Sequence, residues 1–503
     1  VLSYETERRM LGGSMDNYQD PDRQQSPLLR LSQSADGHRS RHRLLLLLLP
    51  CLTLADEAHP LSAPNGQDRR AWVRSRIESM LDAAHLPNPT DGPVDERWFH
   101  LALLALDPGM RVFLERWRDA SPEEIGKPNP DLFGAYIDDL LAHDIQALGR
   151  RPEGLAELVT DLALGAPGIL ASRVLAMAGI ADDARRELAV QLANAFWRLF
   201  NRPAVIKLLQ QLGGGGHDGD DGDQAYWHLV LGYCIDGNLQ AVLDEAWHLA
   251  WEQHAWADSD CRETVSRRCI KKLADAVEPR PSRVHARFYA QGERKGKHQA
   301  DEVRIRTVLA LRYGHTTDEK GAVSQDAVRA AFNSPFRPFV LASTSVGQEG
   351  LDFHPWCHRL VHWNLPGNPV DLEQREGRVH RYKGHAVRKN VACEHGPKAL
   401  ETWTPGQDLW SASFELANGK ARGQQASDLV PWWVAPGPHR VERYVPTLPY
   451  SAEVDGFQRL KRQLAAYRVV FGQPRQEELL ALLEHSELDE GELGQWAIDL
   501  APR

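Results

Sequence analysis

The chain has 503 residues, a length that allows two to four domains, each with its own hydrophobic core. Hydrophobic residues make up 42% of it and charged residues 25%, which is the composition of a globular protein. The net charge of -10 argues against a uniformly basic nucleic-acid coat protein, but it is compatible with a local basic site. The six cysteines form no C-x-x-C pair, which argues against a zinc ribbon or a disulfide framework and indicates a reducing cytoplasm.

The first 67 residues are predicted to be disordered or to be the remnant of a RecA-like domain. Residues 1–40 are polar and show little periodicity. The leucine run at 44–49 follows a basic segment, so it could be a secretion signal, a buried strand or helix, or a poorly ordered remnant. A buried strand or helix is favoured, because the run lies behind a polar stretch and is too short to span a membrane.

The region 68–280 is predicted to be a mainly helical insertion or accessory domain. Apolar residues recur there at the three- and four-residue spacing of amphipathic helices. Helices with this spacing are predicted at residues 71–85, 132–148, 154–164, 185–200 and 238–254.

In the region 281–410 the pattern changes to alternating strands and helices. The predicted strands are at 303–311, 339–343, 359–364 and 389–393, and the predicted helices are at 325–332 and 369–381. This alternation predicts an α/β domain with a mostly parallel sheet covered by helices. The region 411–503 is predicted to be a small helical C-terminal accessory layer, with helices at 455–470 and 476–485.

An arginine-rich segment, QREGRVHR, occupies residues 374–381. If the predicted helix runs through it, Gln374, Arg378 and Arg381 lie at positions i, i+4 and i+7, on one face. Guanidinium groups present a rigid fork of donors that suits phosphate oxygens, and two on one face repel each other unless an anion lies between them. The segment therefore predicts a phosphate site. The alternative is a surface helix whose arginines form salt bridges with Glu373 and Glu376.

A glycine-containing loop precedes this segment and follows the strand predicted at 339–343. Ligands of open parallel sheets bind beyond the carboxyl ends of the strands, where this loop would lie. Gly347 and Gly350 permit a tight loop, and Asp352 supplies a carboxylate that could orient an arginine or accept a ribose hydroxyl group. The two segments together predict a nucleotide site.

These two segments resemble motifs of a known family. STSVGQEGLDF, at 343–353, resembles motif V, and QREGRVHR resembles motif VI, of superfamily-two helicases and translocases of the DEAD/DEAH-box or Swi/Snf-like branch. The resemblance covers about residues 285–395. It implies a RecA-like helicase C-terminal domain, the second of two RecA-like domains that hold ATP between them.

The resemblance also implies roles for individual residues. Arg381 would be the arginine finger, Arg378 a second contact to the γ-phosphate and Gln374 a coupling residue. An arginine finger contributes roughly 10³ to 10⁵ in rate to phosphoryl transfer. The nucleotide-binding residues implied are Gly350, Asp352, Gly377, Arg378 and Arg381, and the nucleic-acid-binding residues implied are Ser343 and Thr344.

The chain departs from the family in the other half of the ATP site. The sequence G-K-[ST], whose lysine and backbone amides hold phosphates, occurs nowhere in it. The segment DEAH at 56–59 could be motif II, with Asp56 holding Mg²⁺ and Glu57 polarising water, but DEA also occurs inside a predicted helix at 244–246. If DEAH is motif II, the chain is truncated within its first motor domain, and the helical region is inserted between the two motor domains.

The predicted function is that of an ATP-dependent DNA helicase or translocase, with RNA the less favoured substrate and ATP and Mg²⁺ as cofactors. The expected partners are nucleic acid and a first motor domain; no membrane is expected, and the location is predicted to be cytoplasmic. The chain alone is expected to hydrolyse ATP poorly or not at all, because it has no G-K-[ST] sequence to bind the β- and γ-phosphates. The alternative is a catalytically inactive helicase-like scaffold that binds nucleic acid or protein partners, such as those of a bacterial defence system.

Overall fold

The computed structural model describes residues 29, 43–87, 92–95, 97–119, 130–212, 222–255, 261–277, 282–288, 301–307, 325–336, 340–342, 352–446 and 453–498. The chain divides into two compact units. The first unit comprises Val1–Ala310 with Leu400–Leu409, and the second comprises Leu311–Ala399 with Trp410–Arg503.

The described part of the first unit is mainly helical. Its helices are α1 (Arg43–Leu48), α2 (Leu52–Glu57), α3 (Arg69–Ala83), α4 (Trp98–Leu106), α5 (Gly109–Asp119), α6 (Pro130–Ala142), α7 (Leu155–Gly165), α8 (Pro167–Ala176), α9 (Asp182–Phe200), α10 (Pro203–Leu212), α11 (Gly222–Asp236), α12 (Leu239–His254) and α13 (Arg262–Val277). Short 3-10 turns lie at Pro60–Ser62 and Ile145–Ala147. The helices predicted at 71–85, 132–148, 154–164, 185–200 and 238–254 correspond to α3, α6, α7, α9 and α12.

The core of the first unit lies around α8 and α9, which pack against each other and, between them, contact α1, α2, α7, α12 and α13. The leucine run forms α1 and the residue after it, and its side chains are almost fully buried, so the interpretation as a buried helix is confirmed. Gly168 in α8 permits this close packing, because a Cβ atom there would lie 2.8 Å from the carbonyl oxygen of Leu49. Burial of such leucines is a main source of stability, at about 25 cal/mol per Å² of apolar surface.

Within the described residues no single helix is long and apolar enough to cross a membrane. The bent pair α7 and α8, broken at 53°, meets that criterion only by length and composition. Most of the α8 side chains, including Ile169, Leu170 and Val174, are buried among the helices of the first unit.

The first unit also contains a two-stranded antiparallel sheet. Strand β1 (Ser282–Phe288) pairs with β2 (Asp301–Thr307), with Val284 opposite Ile305. The strand predicted at 303–311 therefore overlaps β2, but its described neighbour is antiparallel and was not predicted. Residues 308–311 lie outside the described part of the chain.

The described part of the second unit contains α14 (Gln325–Phe332), β3 (Arg359–Val361), α15 (Pro369–Gly377), α16 (His385–Glu401), α17 (Leu409–Gly423), β4 (Glu442–Tyr444), α18 (Glu453–Val469), α19 (Gln476–Glu484) and α20 (Glu490–Trp496). Strands β3 and β4 are parallel, with Leu360 opposite Arg443. Helix α18 packs against α15, α19 and α20. The helix predicted at 325–332 is confirmed by α14, and those at 455–470 and 476–485 correspond to α18 and α19.

Other predicted elements of this unit differ from the structure. The strand predicted at 389–393 is wrong, because these residues lie inside α16, where Val387 and Val391 share a buried face with Phe414 and Ala417 of α17. The described residues 340–342 are not in a strand, and only 359–361 of the segment 359–364 is one. The mostly parallel RecA-like sheet thus has one described parallel pair, and the full sheet stays a prediction.

Candidate functional site

The arginine-rich segment begins on α15, whose N-terminus is capped by a side chain. Asn368 is the N-cap of α15, and its side chain accepts a hydrogen bond from the backbone N–H of Asp371 at 2.8 Å. Pro369 occupies the first turn, where its missing N–H costs nothing, and Asp371 lies at the positive end of the helix dipole.

The helix ends earlier than predicted. It stops at Gly377, Arg378 is its C-cap, and Arg381 lies beyond it. Beyond the helix, Val379 is 3% exposed and packs with Phe332 and Phe353. The prediction that Gln374, Arg378 and Arg381 share one helical face is therefore wrong: Gln374 is exposed on α15, and the two arginines belong to the turn that follows.

This turn is joined to the segment that begins at Asp352. The backbone N–H of Phe353 donates to the carbonyl oxygen of Arg378 at 2.8 Å, and the N–H of His385 donates to the carbonyl oxygen of His354 at 3.0 Å. Two backbone hydrogen bonds thus hold the segment 352–354 alongside the arginines. The end of motif V and the end of motif VI are adjacent, as the nucleotide-site hypothesis requires.

The site brings together one carboxylate and two guanidinium groups. Asp352 Oδ1 lies 3.3 Å from Arg381 Nη2, and the two side chains are 49% and 37% exposed. The Nε atoms of Arg378 and Arg381 are buried and have no hydrogen-bond partner within the described part of the chain. Asp352 thus forms an ion pair with Arg381, and the two Nε donors are left without a partner among the described residues.

The remaining predicted site residues contribute less or lie elsewhere. Ser343, Thr344 and Gly350 lie outside the described residues. Gly377 ends α15 with open space around it, so no close backbone approach at this position is visible among the described residues.

The glutamates of the segment have partners other than Arg378 and Arg381. Glu376 forms an ion pair with Arg443 of β4, with Oε2 2.6 Å from Nη2, and lies 3.4 Å from Nε2 of the buried His362. Burial by itself would raise the pKa of Glu376, but His362 and Arg443 lower it to about 2. Glu373 pairs with Arg468 of α18 at 3.2 Å. These contacts fix α15 against β4 and α18, and they leave Arg378 and Arg381 available.

Three histidines, His354, His358 and His385, lie next to the site. His358 Nδ1 is 3.0 Å from His385 Nδ1, and His354 Nδ1 is buried without a hydrogen-bond partner in the described residues. Burial, with nearby cations such as Arg388, lowers the pKa of His354 to about 4 and that of His385 to about 3. These imidazoles are neutral at pH 7, so they add no positive charge to the arginine pair.

Sequence reasoning missed two cations that support the turn. Arg388 is fully buried, donates to the carbonyl oxygen of Lys383 at 2.8 Å and also bonds the carbonyl oxygen of Pro355. Lys383 is 3% exposed, and its ammonium group lies among the rings of Tyr382, Phe414 and Trp432. The aromatic Trp-Trp pair at 432–433 was a visible signal, but nothing in the sequence connects it with Lys383.

The candidate motif II lies in the first unit and has structural partners there. Asp56 on α2 accepts a 2.9 Å hydrogen bond from Arg185 at one oxygen and a second one from the same guanidinium at the other. Glu57 pairs with Arg76 at 2.7 Å. Arg173, also buried, donates to the carbonyl oxygens of Leu54, Ala55 and Ala58 at the end of α2.

These contacts do not fit a magnesium site. Both oxygens of Asp56 are used by one guanidinium group, and no group of three or more metal-ligating side chains exists among the described residues. The roles of Asp56 and Glu57 in holding Mg²⁺ and polarising water stay predictions.

Comparison with known proteins gives two matches. A family model described as the helicase conserved C-terminal domain matches residues 296–383, which include Asp352, Arg378 and Arg381. The chain is also similar to an uncharacterized ATP-dependent helicase, YqhH, of Bacillus subtilis (strain 168), at 45% identity over 42 residues. The aligned stretch is 8% of this chain and 7% of that relative, so the chain spans only a small part of the relative's length. No solved structure gives a significant match.

Proposed function

We propose, from the premise that residues 296–383 are a superfamily-two helicase conserved C-terminal domain, that this chain supplies the arginine side of a nucleic-acid-dependent ATPase site. The observation that carries the proposal is the pair of buried, unpartnered Nε atoms of Arg378 and Arg381 beside Asp352. The match to the helicase family model supports a helicase-like function. To this function we add roles for the residues of the site and a preference for DNA.

The described residues fit the phosphates of ATP in one respect. Arg378 and Arg381 present guanidinium donors that would contact phosphate oxygens, and Asp352 keeps Arg381 turned toward its own segment. Bound ATP would supply the phosphoryl group whose transfer to water drives movement on nucleic acid. The protein's part at this site is to place positive charge where negative charge develops.

The test is ATP turnover by the protein expressed from the complete reading frame of its gene, with and without nucleic acid. Arg381→Ala is expected to lower nucleic-acid-stimulated turnover by about 10³-fold or more, which is the contribution of an arginine finger. Arg378→Ala is expected to lower it as well. Arg468→Ala is the matched control, because Arg468 is an exposed arginine of the same unit, paired with Glu373. Unchanged turnover in both Arg378→Ala and Arg381→Ala would overturn the proposal.

The preference for DNA is tested in the same assay. Stimulation by DNA is expected to exceed stimulation by RNA of the same sequence and length. Binding of both should weaken steeply as salt rises, since contacts to phosphates release counterions. Equal or greater stimulation by RNA would overturn the preference.

The second candidate function is a helicase-like scaffold without ATPase activity. The observation in its favour is the sequence itself, in which Gly126-Lys127 is followed by Pro128 and Gly419-Lys420 by Ala421, so that no G-K-[ST] occurs. Such a scaffold would bind nucleic acid or protein partners, for example in bacterial defence. Salt-sensitive DNA binding with no turnover in the protein from the complete reading frame would favour it over the ATPase.

A further inference from the structure

The ammonium group of Lys383 is buried in a cage of three aromatic rings, those of the neighbouring Tyr382 and of the more distant Phe414 and Trp432. Its Nζ atom lies 4.2 Å from the ring centroid of Phe414, 5.1 Å from that of Trp432 and 5.8 Å from that of Tyr382. Phe414 and Trp432 stack on each other with centroids 5.5 Å apart and only 6° between their planes. A lysine that is 3% exposed is rare, because removing an ammonium group from water is costly. Aromatic faces offset part of that cost through cation–π attraction.

The backbone of Lys383 is fixed as firmly as its side chain. Its φ is +46°, a left-handed conformation that non-glycine residues adopt only when their surroundings hold them there. Its N–H donates to the carbonyl oxygen of Trp432 at 2.7 Å, and its own carbonyl oxygen accepts from Arg388 at 2.8 Å. Both polar backbone groups of Lys383 are therefore hydrogen-bonded, the N–H to the C-terminal region and the carbonyl oxygen to α16.

Lys383 lies inside the turn that carries Arg381. The N–H of Gly384 donates to the carbonyl oxygen of Arg381 at 2.9 Å and closes the turn around Tyr382 and Lys383. The direction in which the Arg381 side chain leaves the backbone depends on this turn. If Lys383 moved to an ordinary backbone conformation, the turn would open and Arg381 would leave its position beside Asp352.

We propose that Lys383 is a positioning residue for Arg381: its ammonium group, held in the Phe414–Trp432 cage, locks the turn that aims Arg381 at the phosphate site. This inference rests on the proposed function and adds to it a role for the C-terminal accessory region. That region supplies Phe414 and Trp432, so it is part of the apparatus that sets the geometry of the arginine segment.

The charge and the shape of the side chain can be separated with two variants. Lys383→Met keeps an unbranched apolar stem in the cage and removes the cation. Lys383→Arg keeps a cation that binds aromatic faces well. Lys398→Met is the control, because Lys398 is an exposed lysine of α16 and its loss changes the net charge equally.

ATP turnover and tripolyphosphate binding are measured for each variant, together with the thermal midpoint. In the protein from the complete reading frame, Lys383→Met is expected to lower kcat for nucleic-acid-stimulated ATP hydrolysis by about 10- to 100-fold, the effect of a misplaced catalytic group, with a smaller change in KM. In the 503-residue chain, it is expected to weaken binding of inorganic tripolyphosphate several-fold by calorimetry. The thermal midpoint should stay the same or rise, because methionine suits an apolar site. A purely structural role would make activity and binding follow the midpoint instead.

The results for the three lysine variants and for Arg381→Ala distinguish failure of the Lys383 role from failure of the proposed function. Substantial retention of kcat and tripolyphosphate binding in Lys383→Arg, with loss in Lys383→Met and none in Lys398→Met, supports the inference. Equal loss in Lys383→Arg and Lys383→Met, or no loss of binding in Lys383→Met, overturns it. If Arg381→Ala also leaves both turnover and tripolyphosphate binding unchanged, the proposed function fails, not the role of Lys383 alone.

Discussion

Asp352 and Arg381, which are far apart in the sequence, form an ion pair with 3.3 Å between Oδ1 and Nη2. The pair joins the ends of the two segments that resemble motifs V and VI, and the hydrogen bond from the N–H of Phe353 to the carbonyl oxygen of Arg378 lies beside it. Under the proposed function, the carboxylate would have two effects on Arg381. It would orient the guanidinium group, and it would occupy some of the donors until a phosphate replaced it.

Replacement of Asp352 is expected to affect function far more than stability. Both side chains of the pair are more than a third exposed, so Asp352→Asn should change the free energy of unfolding by less than about 0.5 kcal/mol. Loss of orientation should lower nucleic-acid-stimulated ATP turnover about tenfold. Urea unfolding and steady-state turnover measure the two quantities. Glu394→Gln, which removes a carboxylate from the exposed pair with Lys420, is the control, and wild-type turnover in Asp352→Asn would contradict the orienting role.

Of the two glutamates on α15, Glu376 is expected to contribute more to the stability of the fold. Its side chain is 22% exposed and is shared by Arg443 and the buried His362, so Glu376→Gln leaves two partners without their carboxylate. The free energy of unfolding should fall by about 2 to 3 kcal/mol. Urea unfolding of the 503-residue chain measures this.

Glu373→Gln is the matched control for that experiment. Glu373 lies on the same helix and pairs with Arg468, but both side chains are more than 40% exposed. A change of less than about 0.5 kcal/mol is expected for such a pair. If the two variants lost the same amount of stability, the special role of Glu376 would be wrong.

Local sequence patterns predicted nine of the twenty helices that the structure describes. The segment 325–332 is a helix with the predicted limits, and α3 lies within two residues of the segment 71–85, because apolar spacing is a local property. The strand predicted at 389–393 was wrong because a local pattern was again the only basis for it. A five-residue stretch with valine and cysteine fits a strand or a buried helix equally well, and only packing against Phe414 decides for the helix.

The sequence predicted which residues of the candidate site lie together, but it did not predict their geometry. The sequence indicated Asp352, Arg378 and Arg381, and the structure brings them together. The sequence did not indicate that α15 ends at Gly377, and the packing of Val379 with Phe332 and Phe353 beyond that end is a tertiary contact that local patterns do not reveal. Contacts of Lys383 with Phe414 and Trp432 depend on the tertiary fold in the same way, and no spacing rule connects residues so far apart.

Acid is expected to destabilise the second unit through His385. Burial, with Arg388, His358, Lys389 and His439 nearby, lowers its pKa from 6.5 to about 3. Between those values the unfolded chain binds a proton that the folded protein does not, so stability is fully present above pH 6.5 and falls on acidification. The loss is at most about 1.4 kcal/mol per pH unit for one such group.

His385→Phe tests this origin of acid sensitivity. The variant keeps a ring beside Trp356 but has no proton to gain, so the free energy of unfolding should fall less steeply between pH 6.5 and 5 than in the wild type. Urea unfolding at several pH values gives both slopes. His354 and His358, whose pKa values are also lowered by burial, should keep part of the wild-type slope. An identical slope in the variant would exclude His385 as a contributor.

The two carboxylates of the candidate motif II, Asp56 and Glu57, are expected to contribute unequally to the stability of the first unit. Arg185 is 7% exposed and binds both oxygens of Asp56, so Asp56→Asn should destabilise the first unit by about 2 kcal/mol. The pair of Glu57 with Arg76 is exposed, and Glu57→Gln should cost less than about 0.5 kcal/mol. Thermal unfolding with and without excess Mg²⁺ measures both effects. A midpoint that rises with Mg²⁺ in the wild type and not in Asp56→Asn would instead support the magnesium role of Asp56, since a ligand stabilises only the form that binds it.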